Sequence, residues 1–545
     1  MRKIFQIFLS LCVLYIAACN SPRQNKDDHR TVFRYNESAG ITSLDPTFAK
    51  DQANIWACNQ IYNGLVQLNE KLEVEPCIAS HWAISDSGLT YTFYLRKDVY
   101  FHDHTLFPNG KGRRVVAKDF VYSLNRLLDE KVASPGAWVL SNVSKKESNF
   151  DLEAPDDSTF IIRLERVFPP FLGLLSMQYC SVVPHEIVEH YGKDFRRNPV
   201  GTGPFKFKLW KEGVKLVLTK NTNYFEFDGK QRLPYLDAVA VTFIVDKQSV
   251  FLEFVKGNLD FMSGIDASYK DELLTRSGQL NPKYKGKFKM ASQPYLNTEY
   301  LAFLVDEESP VFKNSPLKLK AVRQAINHGF DRVKMMKYLR NNIGTPATSG
   351  FVPKGLPSFD DKLVKGYEYN PELSRKLLSD AGFPNGLGLP DITLSTTASY
   401  LDLCKYIQQQ LNDIGFNIKI DVNPPATLRE MIAKSKVSFF RGSWIADYPD
   451  AENYLSLFYS KNFCPKGPNY THYKSKAYDD LFEKAQKEIN DSLRYVYYHQ
   501  MDQMIMDEAV VVPLYYDQVL RFYQNNITGL GSNPMNLLVL KRVKK

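Results

Sequence analysis

The sequence predicts an α/β fold organised in two or three lobes, and three observations carry that expectation. The chain is 545 residues long, whereas a single hydrophobic core stops growing near roughly 250 to 300 residues. Its composition is that of a globular protein, with 44% hydrophobic, 24% charged and 13% aromatic residues, which excludes disorder for the bulk of the chain. Short segments of period two alternate with segments of helical period, and at one place a helix, a glycine and a strand follow directly on one another, the layout of a parallel crossover unit.

Val32, Phe33 and Tyr35 mark an opening strand. Residues 91–95 close the aromatic and β-branched run Leu89-Thr90-Tyr91-Thr92-Phe93-Tyr94-Leu95 and mark another, and residues 215–219 alternate in the same way. Asn370 and Pro371 open a helix, with proline at the first helical position, where its missing N–H costs nothing. Leu373, Leu377, Leu378 and Ala381 recur at helical spacing, and Gly382 stands where a left-handed cap belongs. Residues 400–414 form the next helix, ended by Gly415, and residues 416–422 follow as a strand. Residues 478–488 and 492–506 pair as a helical hairpin, after which residues 510–516 return as a buried strand. No repeat or long low-complexity stretch intervenes, so packing rather than flexible linkers holds the lobes.

The N-terminus reads as an address. Arg2 and Lys3 precede an almost unbroken apolar stretch over residues 4–18, the layout of a secretory signal. The stretch is shorter than the ~20 residues that span a bilayer, and none as long follows, so a polytopic membrane protein is excluded. Ile16, Ala17 and Ala18 run into Cys19, which resembles the lipobox of bacterial lipoproteins, where the cysteine sulfur receives the lipid. Residues 1–18 are accordingly expected as signal peptide and residues 19–30, polar and charged, as a lipidated tether that sits on a membrane without spanning it. Of seven cysteines, Cys12 lies in the signal and Cys19 carries the lipid. The remaining Cys58, Cys77, Cys180, Cys404 and Cys464 are odd in number and lack metal-site spacing, so at most two disulfides are expected, with no pairing assigned.

Five segments, taken in order, follow a recognisable pattern. The first is Ser43-Leu44-Asp45-Pro46 with Ile61-Tyr62-Asn63-Gly64-Leu65. The second runs from Pro76 through Ala79, Trp82 and Gly88 to Phe101-His102-Asp103 and the helix start Ala117-Lys118-Asp119-Phe120-Val121-Tyr122-Ser123. The third is the bend Asn198-Pro199-Val200-Gly201-Thr202-Gly203-Pro204-Phe205, and the fourth is Val322-Arg323-Gln324-Ala325-Ile326-Asn327 with Asp331-Arg332. The last is Arg441-Gly442-Ser443-Trp444-Ile445-Ala446-Asp447-Tyr448-Pro449-Asp450. Together these segments resemble the bacterial extracellular solute-binding proteins of family 5, which serve oligopeptide, dipeptide and nickel importers; one departure is His104 and a longer basic insert through Arg114, where the family has a glycine and a short link.

The resemblance implies a two-lobed periplasmic-binding-protein fold of type II, cluster C, with an extra domain and a hinge. Lobe I would comprise residues 31–72, 198–291 and 516–545, the extra domain II residues 73–197, and lobe II, the family's domain III, residues 292–515. It also implies a function. A short peptide always presents an ammonium, a carboxylate and a backbone of donors and acceptors, and a protein that binds many sequences must read those shared groups. Buried ligand charges need opposite charges in the protein. By resemblance, Asp447 receives the ammonium and Arg441 meets the carboxylate. The backbone of Gly442, Ser443, Trp444, Ile445 and Ala446 pairs with the ligand, assisted by Lys50, Asp51 and Gln52, and Trp444 walls a side-chain pocket. The bland alternative makes Arg441 and Asp447 a structural ion pair and Trp444 ordinary core.

The expected protein is a monomeric, lipid-anchored binding protein of the cell envelope, without cofactor, that delivers peptides to the permease of an ABC importer. Its formal charge of +9 is spread among 60 acidic residues without a basic run, which argues against nucleic acid. No G-x-S-x-G or H-E-x-x-H constellation points to an enzyme such as an envelope peptidase. Related proteins accept a nickel chelate, haem or oligosaccharide; nine scattered histidines argue against metal, and Asp447 argues for an amine.

Overall fold

The alternation at the start of the chain forms the strand Val32–Asn36, which buries Phe33 and Tyr35 and leaves their neighbours half-buried. The computed structural model describes residues 30–545 apart from 86, 148, 267 and 314, so the expected signal peptide and Cys19 lie outside the described residues. Val32–Asn36 pairs in parallel with Ala238–Thr242 and with Phe261–Ser263. Beyond Ala238–Thr242, the antiparallel strands Lys215–Lys220 and Phe205–Lys211 complete one half of the main sheet.

Two long strands join this half to the other. Phe288–Phe303 and Val511–Gln524 run antiparallel for 16 and 14 residues. They pair from Phe288 with Gln524 to Pro294 with Gln518, lose register between Pro294 and Thr298, and pair again from Thr298 with Tyr516 to Ala302 with Val511. On the far side of that break the sheet continues through Phe439–Ile445 and Ile392–Thr396 to Ile418–Val422. The expected crossover unit lies here: Ile392–Thr396 and Ile418–Val422 are parallel and are joined by the helix Leu401–Asn412. Gly415 reverses the chain between that helix and its strand at φ +122°, where a Cβ would fall 2.8 Å from the Asn385 carbonyl carbon, so only glycine fits.

The expected helix ends are observed as well. Asn370 caps Pro371–Asp380 by accepting the Leu373 N–H, and the helical hairpin is formed by Lys476–Ala485 and Asp491–Asp507. One expectation is corrected: the closing strand does not stop at residue 516 but runs to Gln524. The apolar pattern is broken there by Asp517, Gln518 and Arg521, yet Arg521 is buried because the carbonyls of Gly531 and Leu537 and the Asn536 side chain accept its guanidinium hydrogens.

Residues 79–163 contribute a separate four-stranded antiparallel sheet of Ala79–Ile84, Thr90–Leu95, Thr159–Arg163 and Leu152–Glu153. Its inward Tyr91, Phe93, Phe160 and Ile162 share one continuous core with Phe33 and Val239 of the main sheet's first half and with Trp56 of the helix Gln52–Ile61. The second half has cores of its own, around Tyr300, Phe351, Tyr454 and Met501 on one face and Phe303, Ile326, Leu411 and Phe439 on the other. Cys58, Cys77, Cys180, Cys404 and Cys464 are all free and buried, so none of the allowed disulfides forms among the described residues.

Two motif segments are explained by one buried ion pair. Asp45 accepts the Thr47 N–H at 3.1 Å and receives both terminal nitrogens of Arg126, at 3.1 and 2.7 Å. Arg126 stands at the end of the helix Ala117–Asn125, so the Ser43-Leu44-Asp45-Pro46 turn is pinned to the second motif's helix with both side chains less than a tenth exposed. Likewise Gly203 lets the third motif approach the first, with its N–H 2.8 Å from the Ile61 carbonyl oxygen. Removing one member of a buried pair strands the other charge. Asp45→Ala is therefore expected to lower unfolding free energy by ~3–5 kcal/mol, read from denaturant midpoints; an unchanged midpoint would contradict the assignment.

Candidate ligand-binding site

Phe439–Ile445 is paired on one edge only along most of its length. Residues 439–445 face residues 303–297 of the long strand, and the Ala446 N–H extends the ladder to the Leu296 carbonyl at 2.9 Å. On the opposite edge the single pairing is Ser395 with Phe440. From Arg441 onward that edge has no strand partner among the described residues, which leaves backbone donors and acceptors open to an extended chain. Gly442 makes the close packing behind it possible: a Cβ there would lie 2.7 Å from the Tyr300 ring.

Side chains alternate about this strand. Ser443 and Ile445 are exposed, whereas Trp444 on the other face is half-buried against the core around Tyr454 and donates its indole N–H to Asn453 Oδ1 at 2.9 Å. The same Asn453 oxygen accepts the Asp447 N–H at 3.2 Å, and its amide donates to Asp447 Oδ2 at 3.3 Å. One buried side chain thus orients both Trp444 and Asp447. The sequence reading missed Asn453, although it stands in the same segment, six residues after Asp447.

The Asp447 carboxylate has no cation partner among the described residues. It opens into a cavity of about 160 Å³ whose other walls include Asn59, Gln60, Asn63, Gln178 and Tyr224, so residues from both halves of the chain enclose it. More than a third of the residue's surface is open, yet protein on the remaining sides desolvates the carboxyl and raises its pKa, against the opposing Asn453 hydrogen bond. Tyr179 lies within electrostatic reach of Asp447 and of Asp51, and burial followed by these two carboxylates pushes its hydroxyl up to about 12. The stretch Lys50, Asp51 and Gln52 is exposed beside this region, and the Asp51 carboxylate caps the helix Gln52–Ile61 through the Asn54 N–H.

Arg441 stands apart from Asp447, six residues earlier, which is at most ~20 Å of extended chain. Its guanidinium bonds to Glu299 and lies 3.2 Å from the centroid of the Tyr400 ring. The two sequence-derived charges therefore do not pair with each other. Glu299 also takes the Asn297 amide at 3.1 Å, and a second pair, Arg340 with Asp517 at 3.0 Å, lies beside it through the same Asn297 amide. Nε of Arg441, Nε of Arg340 and Oδ1 of Asn297 are buried without a hydrogen-bond partner. Sequence carried no signal for Glu299, which is 142 residues from Arg441 and meets it only across the ladder.

A larger cavity of about 730 Å³ lies on the other side of Tyr448 and Pro449. Three of its charged walls satisfy one another: Arg494 lies 2.7 Å from Asp491 and 3.6 Å from Asp450, and Asp450 also accepts the Tyr498 hydroxyl at 2.7 Å. Under it Glu452 is buried and accepts the Tyr448 hydroxyl; desolvation raises its pKa to about 7, and burial raises that of Asp502 to about 6. Both values exceed those of unfolded carboxyls, near ~4. The folded state therefore binds more protons between pH ~4 and ~7, and stability falls as pH rises through that window. Glu452→Gln should flatten the fall, measured as denaturant midpoints at about pH 5 and about pH 8; an identical pH dependence in the variant would contradict it.

This arrangement is that of a two-lobed solute-binding protein, with a candidate site between halves of a sheet joined by two long strands. The chain belongs to the bacterial extracellular solute-binding proteins of family 5: the sequence model described as "Bacterial extracellular solute-binding proteins, family 5 Middle" matches residues 73–463. It is 26% identical over 540 residues to the dipeptide-binding protein DppE of Bacillus subtilis (strain 168), covering 95% of this chain and 93% of that one. Among solved structures it is similar to DppA of Helicobacter pylori in complex with the peptide STSA, with 27% identity, TM-score 0.71 and 94% and 98% of the two chains covered. It shares its fold with the unliganded open form of the murein tripeptide-binding protein MppA, with 23% identity, TM-score 0.79 and 95% and 97% coverage.

Proposed function

We propose that this protein captures short peptides between its lobes, anchored to a membrane through lipid on Cys19, and delivers them to the permease of an ABC importer. The observation that carries the reading is a partly desolvated carboxylate, Asp447, at the mouth of an interlobe cavity and at the end of a strand edge, both without a partner among the described residues. The ligand's ammonium neutralises Asp447, and its main chain adds to residues 441–446 as a further strand. Arg441 supplies positive charge for the carboxylate of a short ligand, in competition with the resident Glu299. Support comes from the relatives: DppE is a dipeptide-binding protein, and the Helicobacter pylori DppA holds a peptide.

Lobe I is assigned to residues 31–72, 198–291 and 516–545, domain II to residues 73–197 and lobe II to residues 292–515. Closure bends the two long strands where their register is lost, between Pro294 and Thr298. Ligand burial follows from that motion, and the closed shape is what the permease meets.

Removing the Asp447 charge leaves the ammonium unpaired in an enclosed site. Asp447→Asn is expected to weaken binding of a short peptide by ~2–5 kcal/mol, measured by titration calorimetry. Because only the ionised carboxylate attracts the ammonium, wild-type affinity should fall on acidification, beginning above the ordinary aspartate range near ~3.9. Unchanged affinity in the variant would rule out the ammonium role.

A further inference from the structure

Three segments converge on lobe II away from both cavities: the chain just after Phe288–Phe303, the turn after the helix Pro425–Ala433, and the loop of residues 463–473. The loop is pinned by fully buried Asn469, whose amide donates to the carbonyls of Tyr459 and Tyr473, both at 3.1 Å, and the Val305 N–H ties the first segment to it through the Thr471 carbonyl. Held in this way, Cys464 Sγ lies 3.2 Å from His472 Nε2, and His472 Nδ1 lies 2.9 Å from Asp306 Oδ2. Ser435 Oγ completes the group at 3.4 Å from the sulfur and 3.2 Å from Nε2. Phe463 stacks on the imidazole with centroids 4.5 Å apart, fixing the ring plane.

We propose that Cys464, His472 and Asp306 form a nucleophilic thiol centre that undergoes exchange with low-molecular-weight disulfides. The order of groups is nucleophile, base and orienting acid. Asp306 holds the proton on Nδ1, which leaves Nε2 to take the proton of the thiol. The ring nitrogens point to opposite sides, so the three groups do not converge on one point as metal ligands would, and no metal-ligand cluster occurs among the described residues. The electrostatics agree. Burial opposes the thiolate, but the hydrogen bonds of His472 and Ser435 and the imidazolium charge outweigh it and hold Cys464 below the ordinary thiol range, while His472 is raised to about 9, chiefly by Cys464. Cys58, Cys77, Cys180 and Cys404 are shifted upward by burial, which makes them unreactive.

In the exchange, the Cys464 sulfur attacks one sulfur of the disulfide R–S–S–R. The S–S bond breaks as the Cys464–S–S–R bond forms, and the proton taken from Cys464 passes from His472 to the departing sulfur as R–SH. One protein thiol and one disulfide become one mixed disulfide and one small thiol, with no other oxidant. Cys464 is buried and the next two residues, Pro465 and Lys466, are exposed, so the exchange requires the disulfide to enter past that turn.

The test is a stopped-flow titration with dithiodipyridine of protein carrying Cys12→Ser and Cys19→Ser, with the released thiopyridone read by absorbance. One thiol per chain is expected to react in the native state at neutral pH and to vanish in Cys464→Ser. His472→Asn should slow it at least ~tenfold at pH ~7 and move its pH–rate midpoint up toward the ~8.5 of a free thiol. Asp306→Asn should move the midpoint in the same direction, and it carries the test if thermal unfolding shows that His472→Asn does not fold. The proposal is overturned if no native thiol reacts, if the reacting thiol survives in Cys464→Ser, or if the folded histidine and aspartate variants keep the parent rate and pH profile.

Discussion

The antiparallel ladder between Phe288–Phe303 and Val511–Gln524 is the constraint on which the rest depends. Every other strand of the main sheet is attached, directly or through neighbours, to one or other of these two, on one side or the other of the register break at Pro294 to Thr298. The first half carries the core that also supports the four-stranded sheet, and the second carries two cores of its own. The chain crosses between the halves in paired strands, and Tyr448 of the second half packs into the first half's core against Phe168. The same ladder supplies residues 297–303 as the backing of Phe439–Ile445, so the free strand edge and the Asp447 carboxylate at its end are positioned by the element that joins the halves.

Local chemistry explains which parts of this were legible in the sequence. Asn370, Pro371, Gly382 and Gly415 mark helix ends because caps and positive φ are properties of a few adjacent residues. The strand Val32–Asn36 and the parallel crossover could be read because their apolar periods are clean. The end of the closing strand was not legible, since Arg521 interrupts the pattern and is made tolerable only by carbonyls from residues 531 and 537. The site divides in the same way. Residues 441–447 could be picked out as a segment, but the partner of Arg441 could not, because Glu299 reaches it across a ladder rather than along the chain.

Charge in the molecule is organised by whether it is already answered. Asp45 and Arg126 satisfy each other in the core, as do Arg494, Asp450 and Asp491 beside the larger cavity. Arg441 has its answering charge in Glu299. Asp447 has none among the described residues, and the surrounding protein makes its ionised form costly. An anion held in that condition by a buried asparagine, next to open backbone groups, is suited to a cationic chain end with amides behind it.

The most direct measurement is a crystal structure of the protein with a short peptide bound. The account predicts the peptide's amino nitrogen within hydrogen-bonding distance of the Asp447 carboxylate, with the ligand main chain paired to the free edge of residues 441–446. A peptide seated elsewhere, with Asp447 touching no ligand atom, would contradict it.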